Sequence, residues 1–120
     1  MKIAISAKGK TLQDAVDLRF GRAKGFIIYD LKSGDIEFVD NVQNFEAAQG
    51  AGIQAAQNVL NYDIEALITG HCGPKAFRVL KAADVKIYLA EETTVKEAIE
   101  KYVKNELKET LSADVEGHWM

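Results

Sequence analysis

The residues best suited to chemistry in this 120-residue chain are His71 and Cys72, which lie in the segment Gly70-His71-Cys72-Gly73-Pro74-Lys75. Cys72 is the only cysteine of the sequence and His71 is one of two histidines. A thiolate or an imidazole near a helix start can bind a metal or act as a nucleophile, and the N–H groups of the helix attract anions. The alternative is that the glycines and the proline only form a turn, and that Cys72 packs in the core.

A second candidate is Arg19-Phe20-Gly21-Arg22, which places two guanidinium groups around an aromatic residue and a glycine. Arginine presents a rigid fork of donors to carboxylate or phosphate groups. The segment belongs to a long stretch between two predicted strands, and long loops are often functional. It therefore predicts an anion clamp, with a solvated turn anchored by Phe20 as the alternative.

The elements that must position these residues follow from the hydrophobic pattern. Five strands are predicted, at Lys2 to Ser6, Gly25 to Leu31, Ile36 to Asp40, Ala66 to Thr69 and Val85 to Ala90, and three helices, at Ala51 to Leu60, Ala76 to Ala83 and Val95 to Val103. Pro74 suits a first helical position, and Thr94 with Glu97 is typical of a capping box.

The order β-β-β-α-β-α-β-α predicts an α/β protein with a mixed five-stranded sheet and helices on both faces, a three-layer α/β/α domain. We expect residues 1–106 to form one domain and residues 107–120 a C-terminal tail, either loose or docked. Ligands of such sheets bind beyond the carboxyl ends of the parallel strands. The three predicted loops at that edge are Ala7 to Lys24, Asn41 to Gly50 and Gly70 to Lys75.

The composition argues against several classes of protein. The chain is 48% apolar and carries a net charge of −3, which argues against a nucleic-acid binder that neutralises phosphates. No apolar run approaches the length of a membrane span or a signal peptide. A single cysteine cannot form an internal disulfide, so we expect a cytoplasmic protein.

The sequence resembles the dinitrogenase iron-molybdenum cofactor biosynthesis family over nearly its whole length. The segments that carry the resemblance are Met1 to Ser6, Arg19 to Ala23, Gly50 to Ala56, Ile68 to Phe77 and Thr94 to Ile99. The resemblance implies a ribonuclease-H-like fold. It also implies a function related to nitrogen fixation. It also implies a carrier without catalytic activity that holds an iron-sulfur or iron-molybdenum cluster, or its precursor, as transient cargo and exchanges it with cluster donor and acceptor proteins.

The cofactor-binding residues expected from these arguments are Arg22, Gly70, His71, Cys72 and Gly73, with Cys72 and His71 as metal ligands. Because iron-sulfur clusters usually take several thiolates, three ways of holding the cargo stay open. One thiolate could act with an imidazole from His71 or His118, two chains could share the cluster in a homodimer, or Arg22, Arg19 and backbone N–H groups could hold it without covalent bonds.

Other functions fit the residues less well. The first predicted strand carries no carboxylate, although a ribonuclease-H-type nuclease needs several to hold two metal ions. A nucleophilic Cys72 would need a base, and the side chain of the adjacent His71 is expected to diverge from it. The alternative to a cluster carrier is a binding module for a small anionic metabolite or nucleotide, although the sequence lacks a phosphate-binding loop of the Gly-x-x-x-x-Gly-Lys-Ser/Thr type.

Overall fold

The computed structural model describes residues 1–41 and 51–111. In chain order its elements are β1 (Lys2–Ala7), β2 (Gly25–Asp30), β3 (Ile36–Asp40), α1 (Ala51–Leu60), β4 (Ile64–Thr69), α2 (Pro74–Ala82), β5 (Lys86–Leu89), α3 (Val95–Val103) and β6 (Lys108–Glu109). The predicted order of strands and helices is confirmed, with one strand added at the end.

The sheet is mixed, with the strand order β3-β2-β1-β4-β5-β6. Strands β1, β4 and β5 run parallel to one another, whereas β2, β3 and β6 join by antiparallel pairing. The predicted count of five strands is corrected to six, because Lys108–Glu109 pairs with β5 at the sheet edge. The first residues of the predicted tail are therefore docked on the sheet, a two-residue pairing too short to leave a strand pattern in the sequence.

Each face of the sheet is covered by helices, which confirms the three-layer arrangement. On one face, side chains such as Ala4, Phe26 and Leu67 pack against α1 and α2. On the other face, Ile3, Ile5 and Ile27 are among those that pack against α3. This division follows the period of two along each strand, because successive side chains point to opposite faces.

The ends of the elements follow local chemistry. Gly34 takes a φ of 80° in the hairpin between β2 and β3, a conformation that glycine adopts at little cost. Helix α2 begins at Pro74, two residues before the predicted start, because the fixed φ of proline suits a first helical turn. Thr94 caps α3 by accepting a hydrogen bond from the backbone N–H of Glu97 at 3.2 Å, as its sequence predicts.

The long connection between β1 and β2 is fastened to the domain along its length. Backbone hydrogen bonds join it to the start of α3, from the N–H of Val95 to the carbonyl of Asp14 at 2.9 Å, and to the loop before α2, from the N–H of Phe20 to the carbonyl of His71 at 3.2 Å. The predicted convergence of the 7–24 and 70–75 loops is confirmed. Within the described residues, no helix combines the length and apolar composition that a membrane crossing requires.

Candidate functional site

A depression of about 300 Å³ lies at the end of the domain where the loop before α2 meets the β1–β2 connection. Three segments form its walls: the turn at Phe20 and Gly21, the first turn of α1 at Gly52 and Ile53, and the first turn of α2 from Gly73 to Ala76. The depression therefore lies at the edge that strand order alone predicted for a ligand site.

The start of α2 is open on the side of the depression. Gly73, which has no side chain to cap the helix, occupies the N-cap position with φ −68° and ψ 170°, and the first turn of α2 holds no acidic residue. A Cβ atom built on Gly73 would meet no atom of residues 1–41 or 51–111 within 4 Å. Helix starts carry a partial positive charge and N–H groups without partners in the helix, so this end attracts anions. Lys75 adds a full positive charge in the same turn.

The start of α1 faces the same depression and is also without acidic residues in its first turn. A Cβ atom on Gly52 would lie 3.3 Å from the Cβ atom of Ala76, so the first turns of the two helices approach each other closely. The first turns of the two helices thus line one concave surface, and a helix start carries a partial positive charge.

The two glycines of the loop before α2 have different roles. A Cβ atom on Gly70 would lie 2.6 Å from the Cβ atom and 2.7 Å from the Cα atom of Leu18, so Gly70 permits a close backbone contact. Gly73, by contrast, borders open space. Both were predicted as residues that let the backbone approach a ligand, and the structure assigns that geometry to Gly73, whereas Gly70 serves the packing of the loop.

The turn Arg19-Phe20-Gly21-Arg22 contributes Phe20 and Gly21 to the wall of the depression. The N–H of Arg22 donates to the carbonyl of Arg19 at 3.2 Å, which closes the turn. Asn41, only 1% exposed, donates through Nδ2 to the carbonyls of Gly21 at 3.3 Å and Ala23 at 2.9 Å. Asn41 therefore fixes the turn, a role the sequence analysis missed because a single asparagine after a strand reads as a turn residue.

Arg19 and Arg22 are both exposed at the two ends of this turn. The Nε atom of Arg19 lies 3.2 Å from Oδ1 of Asp17, a carboxylate that is buried while the guanidinium stays largely exposed. The sequence analysis missed this ion pair. The signal that could have predicted it is the spacing, since Asp17 lies two residues before Arg19. Arg19 is thus engaged in an ion pair with Asp17.

His71 and Cys72 do not present their side chains on one surface. His71 is exposed, whereas Cys72 is 1% exposed and belongs to the core cluster that includes Phe20 and Ala76. The predicted divergence of the two neighbouring side chains is confirmed. Metal ligation by this pair stays a prediction, and the burial of Cys72 favours its alternative role as a core residue.

Two further predictions concern residues that the structure does not describe. The loop from Asn41 to Gly50 lies outside the described residues except for Asn41 itself, and so does His118. Among residues 1–41 and 51–111, no group of three or more His, Cys, Asp and Glu side chains has the geometry to hold a metal ion.

The protein is a small α/β domain with a depression at the carboxyl edge of its parallel strands. A family model described as dinitrogenase iron-molybdenum cofactor matches residues 1–105, and the chain belongs to this family. The family expected from the sequence is therefore confirmed.

Similar proteins include two with solved structures. The apo form of the orange protein from Desulfovibrio gigas is 36% identical, with a TM-score of 0.92 over 95% of this chain and 96% of its own. A Thermotoga protein described as NifB-like is 40% identical, with a TM-score of 0.85 over 97% of this chain and 98% of its own. An uncharacterized protein of Methanocaldococcus jannaschii is 28% identical over 110 residues, 90% of each chain.

Proposed function

We propose that this protein is a non-catalytic carrier that binds an iron-sulfur or iron-molybdenum cluster, or a precursor of one, as exchangeable anionic cargo. The observation that carries the proposal is the meeting of two helix starts without acidic residues at one depression. Membership of the iron-molybdenum cofactor family supports the class of cargo. The structure of the similar orange protein is that of an apo form, which means a protein without its ligand. This description supports a binding role.

Charge and backbone donors hold the cargo in this proposal. Metal-sulfur clusters with terminal sulfides are anions, and backbone N–H groups at Gly73 and Lys75 can donate to such sulfur atoms. Lys75, which lines the depression, supplies a full positive charge beside them. The apolar wall formed by Phe20, Ile53 and Ala76 suits the weakly hydrated sulfur surface of a cluster.

Cys72 contributes packing rather than a bond to the cargo. With 1% of its surface exposed, its thiol lies within the core that supports the depression. His71, which is exposed, remains the candidate for a direct bond to a metal of the cluster. Binding without a set of thiolates allows release by simple dissociation, which a carrier requires.

The proposal is tested by anaerobic reconstitution with iron, sulfide and molybdate, followed by visible absorption and metal analysis. We expect bound metal and sulfide on the unmodified chain and on Cys72→Ala. Lys75→Glu, which reverses a charge at the mouth, is expected to lower occupancy roughly tenfold or more. Lys32→Glu makes the same charge change in the hairpin between β2 and β3, and it is expected to leave occupancy unchanged. Absence of any metal-sulfur species from the unmodified chain would refute the carrier function.

A small anionic metabolite or nucleotide is the second candidate, because the start of α2 and Lys75 at the depression could also bind a phosphate or carboxylate group. A ligand that binds the folded state raises the melting temperature. A thermal-shift series with nucleotides, without metal, separates the two candidates. Stabilisation by a nucleotide together with failed reconstitution would favour the metabolite module.

A further inference from the structure

The buried polar side chains of the domain converge on one segment of the backbone. Among residues 1–41 and 51–111, four polar or charged residues have at most 2% of their surface exposed: Ser6, Asp17, Asn41 and Thr69. A polar group removed from water is costly unless it forms hydrogen bonds. The partners of these side chains therefore show which part of the backbone they hold, and that part is residues 17–23.

Ser6 holds the start of this segment. The Oγ atom of Ser6 lies 2.6 Å from the carbonyl oxygen of Asp17 and 2.8 Å from Oγ1 of Thr69. A hydroxyl has one proton and a carbonyl has none, so Ser6 donates to Asp17 and accepts from the hydroxyl of Thr69. The backbone N–H of Asp17 also donates to the carbonyl of Ser6 at 2.8 Å. The carboxylate of Asp17 in turn accepts from the N–H of Arg19 at 3.1 Å, within the segment.

Asn41 holds the end of the segment. Its Nδ2 atom donates to the carbonyl of Gly21 at 3.3 Å and to the carbonyl of Ala23 at 2.9 Å. The buried side-chain amide thus bonds to two backbone positions of a loop that precedes it by about 20 residues. All four buried polar side chains therefore bond to residues 17–23 or to one another.

The segment forms one wall of the depression, because Phe20 and Gly21 in its middle are among the residues that line it. The N–H of Phe20 donates to the carbonyl of His71 at 3.2 Å. The ring of Phe20 also packs against that of Phe26, with centroids 5.3 Å apart. The wall is thus held at its start, middle and end. A surface that is already ordered loses less conformational freedom when a ligand binds.

We propose that Ser6 and Asn41 are positioning residues, which hold the wall formed by Phe20 and Gly21 in its binding conformation before the cargo arrives. Neither of them lines the depression, and each acts through the backbone to which it donates. The inference rests on the proposed function, since it concerns how the same depression binds the same cargo.

The variants Asn41→Leu and Ser6→Ala remove the two donors without changing the charge of the chain. We expect the segment to leave its binding conformation part of the time in both variants. If only about a tenth of the molecules are competent to bind, the apparent Kd rises about tenfold. We expect that change for Asn41→Leu, which removes bonds to two carbonyls, and a rise of about threefold for Ser6→Ala, which removes one.

Thr69→Val is the matched control. It removes the other hydroxyl of the same buried pair, and valine has nearly the shape of threonine. Because the bond from Ser6 to the carbonyl of Asp17 remains, we expect the affinity of Thr69→Val to equal that of the unmodified chain, even where its melting temperature falls as far as that of Ser6→Ala. The two variants therefore separate positioning of the wall from a general loss of stability.

The probe is tetrathiomolybdate, a tetrahedral dianion that presents molybdenum and sulfide in one small molecule. Its Kd is measured by titration of each full-length variant at a temperature where the variant is folded. Hydrogen exchange at the N–H of Phe20, followed by NMR, reports opening of the wall. We expect faster exchange in free Ser6→Ala and Asn41→Leu, and restored protection when the probe is saturating. Ser6→Ala, which loses a single bond, decides the outcome if Asn41→Leu does not fold.

The results distinguish failure of the inference from failure of the proposed function. Equal affinity in the unmodified chain and in Ser6→Ala would overturn the inference and leave the function standing. An equal loss of affinity in Thr69→Val and Ser6→Ala would also overturn it, since the effect would then follow stability and not the bond to the wall. If the unmodified chain does not bind tetrathiomolybdate, the proposed function fails and the inference fails with it.

Discussion

The starts of α2 and α3 differ in whether a side chain accepts hydrogen bonds from the first N–H groups of the helix. At α3, Thr94 accepts from the N–H of Glu97, and an acidic residue stands in the first turn. At α2, Gly73 provides no side-chain cap, and the first turn contains no acidic residue. Both starts have N–H groups that need partners. The start of α3 is satisfied by side chains of the protein, whereas the start of α2 borders the depression in which the proposed function places the anionic cargo.

The largest effect is expected from Gly70→Ala, in the loop that leads to the open helix start. Its new Cβ atom would meet backbone and side-chain atoms of Leu18 at 2.6 to 2.7 Å. We expect a loss of about 3 kcal/mol in the free energy of unfolding, measured by urea denaturation. Gly73→Ala is the matched control, because its Cβ atom meets open space, and its change should stay within about 0.5 kcal/mol. Equal losses at the two glycines would contradict the separate roles assigned to them.

Next in size is removal of the cap that closes α3. Thr94→Ala deletes the oxygen that accepts from Glu97, so we expect the free energy of unfolding to fall by about 1 kcal/mol. Affinity for tetrathiomolybdate, measured on the same samples at a temperature where both proteins are folded, should be unchanged. A parallel loss of affinity would show that the closed start also takes part in binding.

Closing the open start should have a smaller effect on stability and a clear effect on binding. The extended backbone at Gly73 suits an N-cap aspartate, whose carboxylate would accept from the first-turn N–H groups. We expect Gly73→Asp to raise the free energy of unfolding by about 0.5 kcal/mol. It should also abolish anion binding, because the carboxylate occupies the donors and repels the ligand. Retained affinity in a stabilised variant would place the ligand elsewhere.

The smallest effect concerns pH at the closed start. Hydrogen bonds from the Thr93 hydroxyl and the Thr94 N–H hold the pKa of Glu97 below its ordinary value of 4.5. A lowered folded-state pKa means that the stabilisation is fully present above pH 4.5 and is lost as the pH falls through the folded-state value. The free energies of unfolding of the unmodified chain and of Glu97→Gln, measured by denaturation, should therefore differ above this pH and become equal in acid. A constant difference down to the acid limit would show that the carboxylate charge is not involved.

Local patterns in the sequence were sufficient for most of the fold. The alternation in β1 to β3 and the capping box of α3 act within a few residues, and both were predicted from those residues alone. Strand β6 was missed because its pairing with β5 depends on tertiary contact rather than on pattern. The sequence predicted which loops converge but not the surroundings of their side chains, since the positions of Cys72 and Asp17 depend on burial, and burial depends on the whole domain.

The central claim is that the start of α2 binds the cargo while the start of α3 does not. Amide chemical shifts of the full chain, followed by two-dimensional NMR during titration with tetrathiomolybdate, test it directly. The account predicts the largest, saturable shifts at Gly73, Lys75 and Ala76, and none at Glu97 beyond the noise. Shifts confined to the start of α3, or no saturable shift at the start of α2, would contradict it.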